Sequence, residues 1–302
     1  MNSGVIAVDG GGTRCRLTYD GQYLEETGPA NVGSDFDGAI TQLLAGVARL
    51  AARAGLAQAQ LARTPIYLGL AGCVSPEISA RVAAHLPFAH ILVEDDRRAA
   101  VRGALGQDDG AVAHCGTGSF LARQHHGQIR LAGGWGAVLG DEASACWVGR
   151  RALSLTLEAC DAISPHSDLT RLMVQRFGGP PGIVAFGVEA RAHDLGRIAP
   201  DVTARAAQGD PVARRIMTEG AAYLVRILDI MGHGPDHPLC LTGGIAAQYA
   251  PFLPSVLGAR IKAPASTPLD GALALARAFA ARVAPVDGAQ HGSMPLSMKG
   301  TL

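Results

Sequence analysis

Two short glycine turns, each set between strand-like runs, constrain what this chain can fold into. Residues 4–8 (GVIAV) and 14–19 (RCRLTY) flank the first, Asp9-Gly10-Gly11-Gly12-Thr13. Within residues 110–124 (GAVAHCGTGSFLARQ) the same order returns around Gly116-Thr117-Gly118. Setting Gly12-Thr13 on Gly116-Thr117 brings Ala7-Val8 onto Ala111-Val112, an offset of 104 residues. Bare glycine lets backbone N–H groups converge on an anion with no side chain in the way. A P-loop needs GxxxxGK[ST], and a dinucleotide fingerprint needs GxGxxG opening a helix. Here no Lys-Ser or Lys-Thr follows, Cys15 fills the third glycine place, and the next residues alternate as a strand. The first element is therefore a β-hairpin, and taken alone it also reads as an ordinary tight turn. The pair predicts two halves of similar topology, whose tips can face each other across a cleft and clamp a polyphosphate. Asp9 ends the first strand beside such a phosphate, where a carboxylate can hold Mg²⁺ directly or through water.

Helical spacing marks residues 37–56, with apolar positions 40, 43, 44, 47, 50 and 51. A strand is predicted over 22–26, over 65–70 (PIYLGL) and over 90–94 (HILVE). Ser75-Pro76 opens a short helix with a capping hydroxyl and a proline in the first turn. A further helix covers 96–105. Beyond the second hairpin, helices are expected over 142–160, 168–177, about 183–207, 211–231 and about 268–283. A short strand, 238–242, runs into Gly243-Gly244. The tail from 284 to 302 reads as loose.

The chain has 302 residues, enough for one large or two ordinary domains burying roughly 75% of the unfolded surface. Zero formal net charge and the lack of a long Lys/Arg block give nucleic acid no electrostatic footing. No apolar run of about 20 residues predicts a membrane span, and the N-terminal run does not read as a signal peptide. The six cysteines, at 15, 73, 115, 146, 160 and 240, include no CxxC pair. They read as reduced, mostly buried thiols of a cytoplasmic protein, without zinc or an iron–sulfur cluster held by one chain.

The order DGGGT, GTGS, GGWGAVLGDEAS and TGG resembles the actin-like ATPase superfamily. Within it, the order is similar to the BadF/BadG/BcrA/BcrD ATPase family and its N-acetylglucosamine/glucosamine kinase members. GGWGAVLGDEAS is the most specific piece, and the resemblance runs from about residue 4 to 280. It implies an α/β fold of duplicated ribonuclease H-like domains with a central cleft. The implied boundaries are 1–108 plus the C-terminal helix for the first domain and 109–267 for the second. Implied too is an ATP-dependent kinase that uses Mg²⁺ and phosphorylates the 6-hydroxyl of N-acetylglucosamine or glucosamine. The same likeness leaves open an ATPase activator of a dehydratase, with an iron–sulfur cluster bridging two subunits, and a non-catalytic sugar sensor. Its expected partner is a small amino sugar, with a homodimer as a possible assembly.

The resemblance also implies roles for single residues. In VEDDRRAAVRG the fitting register makes Asp96 the catalytic carboxylate, followed by Ala100, Val101 and Gly103; Glu94 and Asp95 are the rivals, and a helix cap is the plain reading. Asn31, in GPANVGS, matches a sugar-contacting asparagine, and otherwise reads as a turn residue. Gly134, Trp135 and Gly136 match a loop along the sugar, with Trp135 able to shield the cleft from water. Asp141 matches a carboxylate that accepts hydrogen bonds from sugar hydroxyls; with Glu142 it also reads as an acid at a helix start. Gly11, Gly12, Thr13, Gly116, Thr117 and Gly118 match phosphate-binding tips, and Gly243-Gly244 the pair near adenosine. Arg14 reads either as a phosphate contact or as a surface residue. Where the family commonly has GDEGSG, this chain has Ala143 and Ala145; where Lys-Thr is frequent, it has Arg14-Cys15. The added methyls either narrow the pocket or are absorbed by packing.

Overall fold

The early meander forms as β1 (Ile6–Gly10), β2 (Cys15–Tyr19) and β3 (Tyr23–Thr27) in a computed structural model that describes residues 4–283. After it come α1 (Phe36–Ala54), α2 (Gln58–Arg63), β4 (Ile66–Leu70), α3 (Pro76–Ala84), β5 (Ile91–Asp95) and α4 (Asp96–Leu105). The five strands make one sheet in the order β3-β2-β1-β4-β5. β1 pairs antiparallel with β2 and parallel with β4. Local signals explain the helices. Asp35 caps α1 by accepting from Gly38 N–H, and Gly55 closes it in a left-handed conformation. Ser75 caps α3 ahead of Pro76, as its sequence predicts.

A second sheet repeats the first. β6 (Gly110–Cys115), β7 (Ser119–His125) and β8 (Gln128–Gly133) form its meander. There follow α5 (Ala145–Cys160), α6 (Asp168–Phe177), α7 (Pro180–Glu189), α8 (Ala192–Gly196), α9 (Ala199–Ala207) and α10 (Pro211–Ile230). β9 (Leu239–Thr242), a 3₁₀ turn (Ala246–Phe252), α11 (Ser255–Gly258), β10 (Ile261–Lys262) and α12 (Pro268–Val283) complete the chain. The order β10-β9-β6-β7-β8 has the same parallel and antiparallel relations as the first sheet, with β6 in the place of β1. The 104-residue hairpin offset is thus one visible part of a duplicated, ribonuclease H-like α/β fold.

Period-two burial places the helices. Ile6 and Val8 enter a core with Leu43, Val47 and Leu50 of α1. Val5 and Ala7, on the other face, pack with Ala99 of α4 and Ala272, Leu273 and Ala276 of α12. Each such aliphatic side chain contributes roughly 1.5–3 kcal/mol when fully buried. The opposite side of α4 (Val101, Ala104, Leu105) packs on Val112, Ala122 and Cys240 of the second sheet. α4 therefore lies between the two sheets, and its first residue, Asp96, falls at their junction.

Two expected helices differ. The one predicted over 142–160 starts at Ala145, because Asp141 and Ala143 adopt left-handed backbone (φ 59° and 65°) and Ser144 becomes the cap. The one predicted over 183–207 divides into α7, α8 and α9. Ala190 and Arg191 are extended, the Arg191 N–H donates to the Asp194 carboxylate, and Pro200 sits in the first turn of α9. All six thiols are free, five buried and Cys160 partly so. Among the described residues no helix is long and apolar enough to cross a membrane. The tail expected to be loose, 284–302, lies outside the described residues.

Candidate active site

The two hairpin tips share one cleft. A cavity of about 490 Å³ is lined by Asp9, Gly11, Gly12, Thr13, Asp96 and Gly243. A second, of about 800 Å³, is lined by Gly12, Asn31, Asp96, Thr117, Gly118, Gly134, Trp135, Gly136 and Asp141. Gly12, Asp96, Arg97, His114 and Phe120 line both, so the two volumes are adjoining parts of one cleft. Gly116 and Gly244 line neither.

Strand register delivers the first carboxylate. Asp9 stands opposite Arg16 on β2, whose Nη2 donates to Asp9 Oδ2 at 2.5 Å. Asp9 is 9% exposed, and this cation offsets the cost of burying its charge.

Three consecutive acids end β5 and open α4, and the structure gives each a different task. Glu94 lies 3.7 Å from Arg98 and lines neither cavity. Asp95 caps α4, its Oδ1 accepting from Arg97 N–H at 2.9 Å. Both its oxygens are also held by the Arg97 guanidinium, at 2.7 and 2.5 Å. Asp96 pairs with no cation among the described residues. Burial, then the Asp95 carboxylate and then Asp9, push its carboxyl from 3.8 up to about 7. The plain capping role thus belongs to Asp95, which lines the larger cavity with its oxygens held by Arg97, whereas Asp96 lines both cavities.

The loop glycines carry the other side. Asn31 Oδ1 accepts from Gly33 N–H at 2.9 Å and Ser34 N–H at 3.2 Å, closing a turn, while its Nδ2 faces the first tip at Gly12. The turn and cleft readings of Asn31 therefore coexist. Asp141 is 8% exposed; its Oδ1 accepts from Gly136 N–H at 3.3 Å, and burial raises its pKa. A Cβ on Gly118 would lie 2.7 Å from Asp141 Oδ2, so the second tip rests against this carboxylate. Asp141 does not stand in the first helical turn: the Gly116 and Thr117 carbonyls accept from Ala145 and Cys146 N–H instead, docking α5 on the tip. Trp135 lines the rim but is 70% exposed, so it does not shield the cleft here. Positive φ at Gly134 and Gly136 carries the loop outward, and Val138 and Leu139 are exposed with it.

Sequence reading did not single out Arg97 and His114. Arg97 joins the halves, since its Nη1 donates to the Gly133 carbonyl at the end of β8 at 2.9 Å. His114 Nδ1 lies 3.1 Å from Thr242 Oγ1, and burial lowers its pKa, favouring the neutral ring. Its position two residues before the glycine of HCGTGS was the available signal. Arg14 is exposed, 3.7 Å from Glu26, and lines the phosphate-side cavity. Of the departures from the family pattern, Ala143 is buried in the second core and Ala145 packs against it, and neither methyl lines the cleft. Burial pushes the Cys15 thiol up to about 12, so it stays protonated inside the first sheet.

Gly243 has φ of 91°, and a Cβ there would meet the Cys115 carbon and oxygen at 2.5 Å. Gly244 has nothing within 4 Å. Gly243→Ala should destabilise the fold by about 2 kcal/mol or more, from left-handed strain plus overpacking, with Gly244→Ala near neutral. Denaturant unfolding of both variants checks this pair, and equal midpoints would contradict it.

A sequence profile of the BadF/BadG/BcrA/BcrD ATPase family matches residues 6–276. Glucosamine kinase GspK from Vibrio cholerae is 29% identical over 279 residues, spanning 90% of this chain and 95% of that one. The crystal structure of a candidate N-acetylglucosamine kinase from Chromobacterium violaceum is 29% identical and superposes with a TM-score of 0.75, covering 91% of this chain and 99% of that one. A ROK family glucokinase from Streptomyces griseus, solved with glucose and AMPPNP, is 18% identical over 91% of this chain and 99% of that one, with a TM-score of 0.52, and shares the fold. With its duplicated sheets, its paired glycine tips and a profile match across nearly its whole length, the chain belongs to the BadF/BadG/BcrA/BcrD ATPase family.

Proposed function

We propose that this protein is an ATP-dependent amino-sugar kinase that phosphorylates the 6-hydroxyl of glucosamine or N-acetylglucosamine. One observation carries the reading. Asp96, partly buried and free of a cation partner, stands where the phosphate-side and loop-side cavities meet. A hydroxyl attacking a γ-phosphorus must lose its proton, and a carboxylate poised near neutral pH is suited to take it. The polyphosphate fits between Gly11–Thr13 and Thr117–Gly118, where backbone N–H groups can approach it. The sugar fits on the other side, against Asn31, Asp141 and the 134–136 loop. Asp141 accepts from two hydroxyls and fixes their orientation, while Asn31 Nδ2 donates.

The residues present also fit Mg²⁺. Asp9 lines the smaller cavity, and Arg16 occupies only its Oδ2, so Oδ1 remains to serve the ion or its water shell. When bound, the ion would neutralise phosphate charge. Asp9 orients that region, Arg97 keeps Asp95 from competing for the proton, and Asp96 receives it. The dehydratase-activator alternative needs thiols presented at a subunit axis, whereas five of the six here are buried. Relatives named for glucosamine and N-acetylglucosamine support the amino-sugar class.

The test mixes protein, ATP, Mg²⁺ and a panel of hexoses and follows ADP. Release dependent on glucosamine or N-acetylglucosamine, with phosphate on the 6-oxygen of the product, is expected. ADP forming at the same rate without any sugar would overturn the proposal.

A further inference from the structure

At the end of the second sheet away from the glycine tip, two chain segments bring imidazoles and a carboxylate together. Asp109 precedes β6, His125 ends β7 and His126 begins the β7–β8 turn. One ligand atom from each lies within 4.8 Å of the other two. β7 runs seven residues from Ser119 at the tip to His125, so the cluster sits about 20 Å from the cleft.

Asp109 is well placed to organise such a group. Its Oδ1 accepts from the His126 backbone N–H at 2.7 Å, fixing the turn, and this leaves Oδ2 facing both rings. His125 Nδ1 is 2.7 Å and His126 Nδ1 3.8 Å from Oδ2. In a tetrahedral site with bonds of about 2.0–2.1 Å, neighbouring donors stand about 3.3 Å apart, and the two observed separations bracket that value. His237 adds a second observation. Its ring centre is 6.1 Å from that of His125, and its Nδ1 is buried without a hydrogen-bond partner. His125 Nδ1 meets no partner among the described residues other than Asp109 Oδ2. Both nitrogens of His233, next to His237, are also unsatisfied. Buried polar nitrogens without partners are costly, and two imidazole nitrogens meeting one carboxylate oxygen beside them ask for a shared electrophile.

The geometry points to a second, structural metal site, independent of the kinase reading: a borderline divalent cation, Zn²⁺ foremost, bound by Asp109, His125 and His126, with water completing its shell. Imidazole with carboxylate suits this class of ion better than Mg²⁺ or Ca²⁺. Bound there, the ion ties the β7–β8 turn to the entry of β6, two connections at one end of the sheet.

The test titrates Zn²⁺ into the full chain, free of any affinity tag and stripped with chelator, in competition with a chromophoric zinc indicator. One equivalent per chain is expected, with affinity at least about 10-fold weaker in His126→Ala. That side chain is 82% exposed, so its loss leaves folding intact. Zn²⁺ should raise the melting temperature of the wild type and not of the variant, while sugar-dependent ADP release by metal-free protein is the same in both. Asp109→Asn provides a second variant with the same expected loss. Equal zinc affinity in the wild type and both variants, or no stoichiometric binding by the wild type, overturns the assignment.

Discussion

Asp96→Asn is expected to lower kcat by at least about 100-fold, near 3 kcal/mol of barrier, with little change in the KM for sugar or ATP. An amide keeps the shape and the hydrogen-bonding reach of the carboxyl but cannot accept the proton. The pH dependence follows from the same group. Burial and the neighbouring carboxylates raise the Asp96 pKa to about 7, so the wild-type kcat/KM should fall as pH drops through about 7, and the variant's residual rate should lose that limb. Stability moves in the opposite sense. The folded protein holds the Asp96 proton up to about pH 7, whereas the unfolded chain releases it near 3.8. Between those values the folded state binds more protons, so stability declines as pH rises through the window and stays lower above it. Asp96→Asn removes the charge responsible. At pH 8 the variant should therefore melt a few degrees higher than the wild type, for a gain on the order of 1 kcal/mol. A variant with near-normal turnover would refute Asp96 as the base, and one that melts lower at pH 8 would refute the buried-charge account.

The preference for Asp96 over its neighbours comes from the family register, not from local rules. VEDDRR offers three carboxylates in a row, and local rules permit any of them to cap the helix. What sets Asp95 apart from Asp96 is Arg97, whose guanidinium holds Asp95 while reaching Gly133, 36 residues away. By contrast, the hairpins were legible because their information is local: alternation, glycine and a repeat at fixed offset. The start of α5 was not legible, because left-handed backbone at Asp141 and Ala143 is imposed by docking on the second tip, and acids at an expected helix start mimic ordinary capping. The segment 183–207 misled for a related reason. Its apolar residues suit a helix, but α7 and α9 bring Ile183 and Val202 into one core as separate helices, with extended backbone between them at Ala190 and Arg191. The histidine cluster was the least legible feature. His125-His126 are unremarkable in the sequence, and only the pairing of β6 with β7 brings them to Asp109.

Asp141→Ala is expected to raise the KM for sugar by roughly 10–100-fold, a net loss of about 1.5–3 kcal/mol, the worth of one charge-assisted hydrogen bond. The KM for ATP should change by less than about 3-fold. The asymmetry is demanding, because Asp141 touches both functional parts. Its Oδ1 holds the loop at Gly136, and its Oδ2 lies against Gly118 of the phosphate-side tip. If its work were only to support that tip, removing it would loosen ATP at least as much as sugar. Asp141→Asn separates the two roles. The amide keeps an acceptor for Gly136 N–H and the bulk beside Gly118, but loses the charge and one acceptor toward the hydroxyls. Its sugar KM should fall between those of the wild type and Asp141→Ala, with ATP binding unchanged. Equal rises in the two KM values, in either variant, would make Asp141 a support for the tip and leave the sugar to be oriented from the Asn31 side.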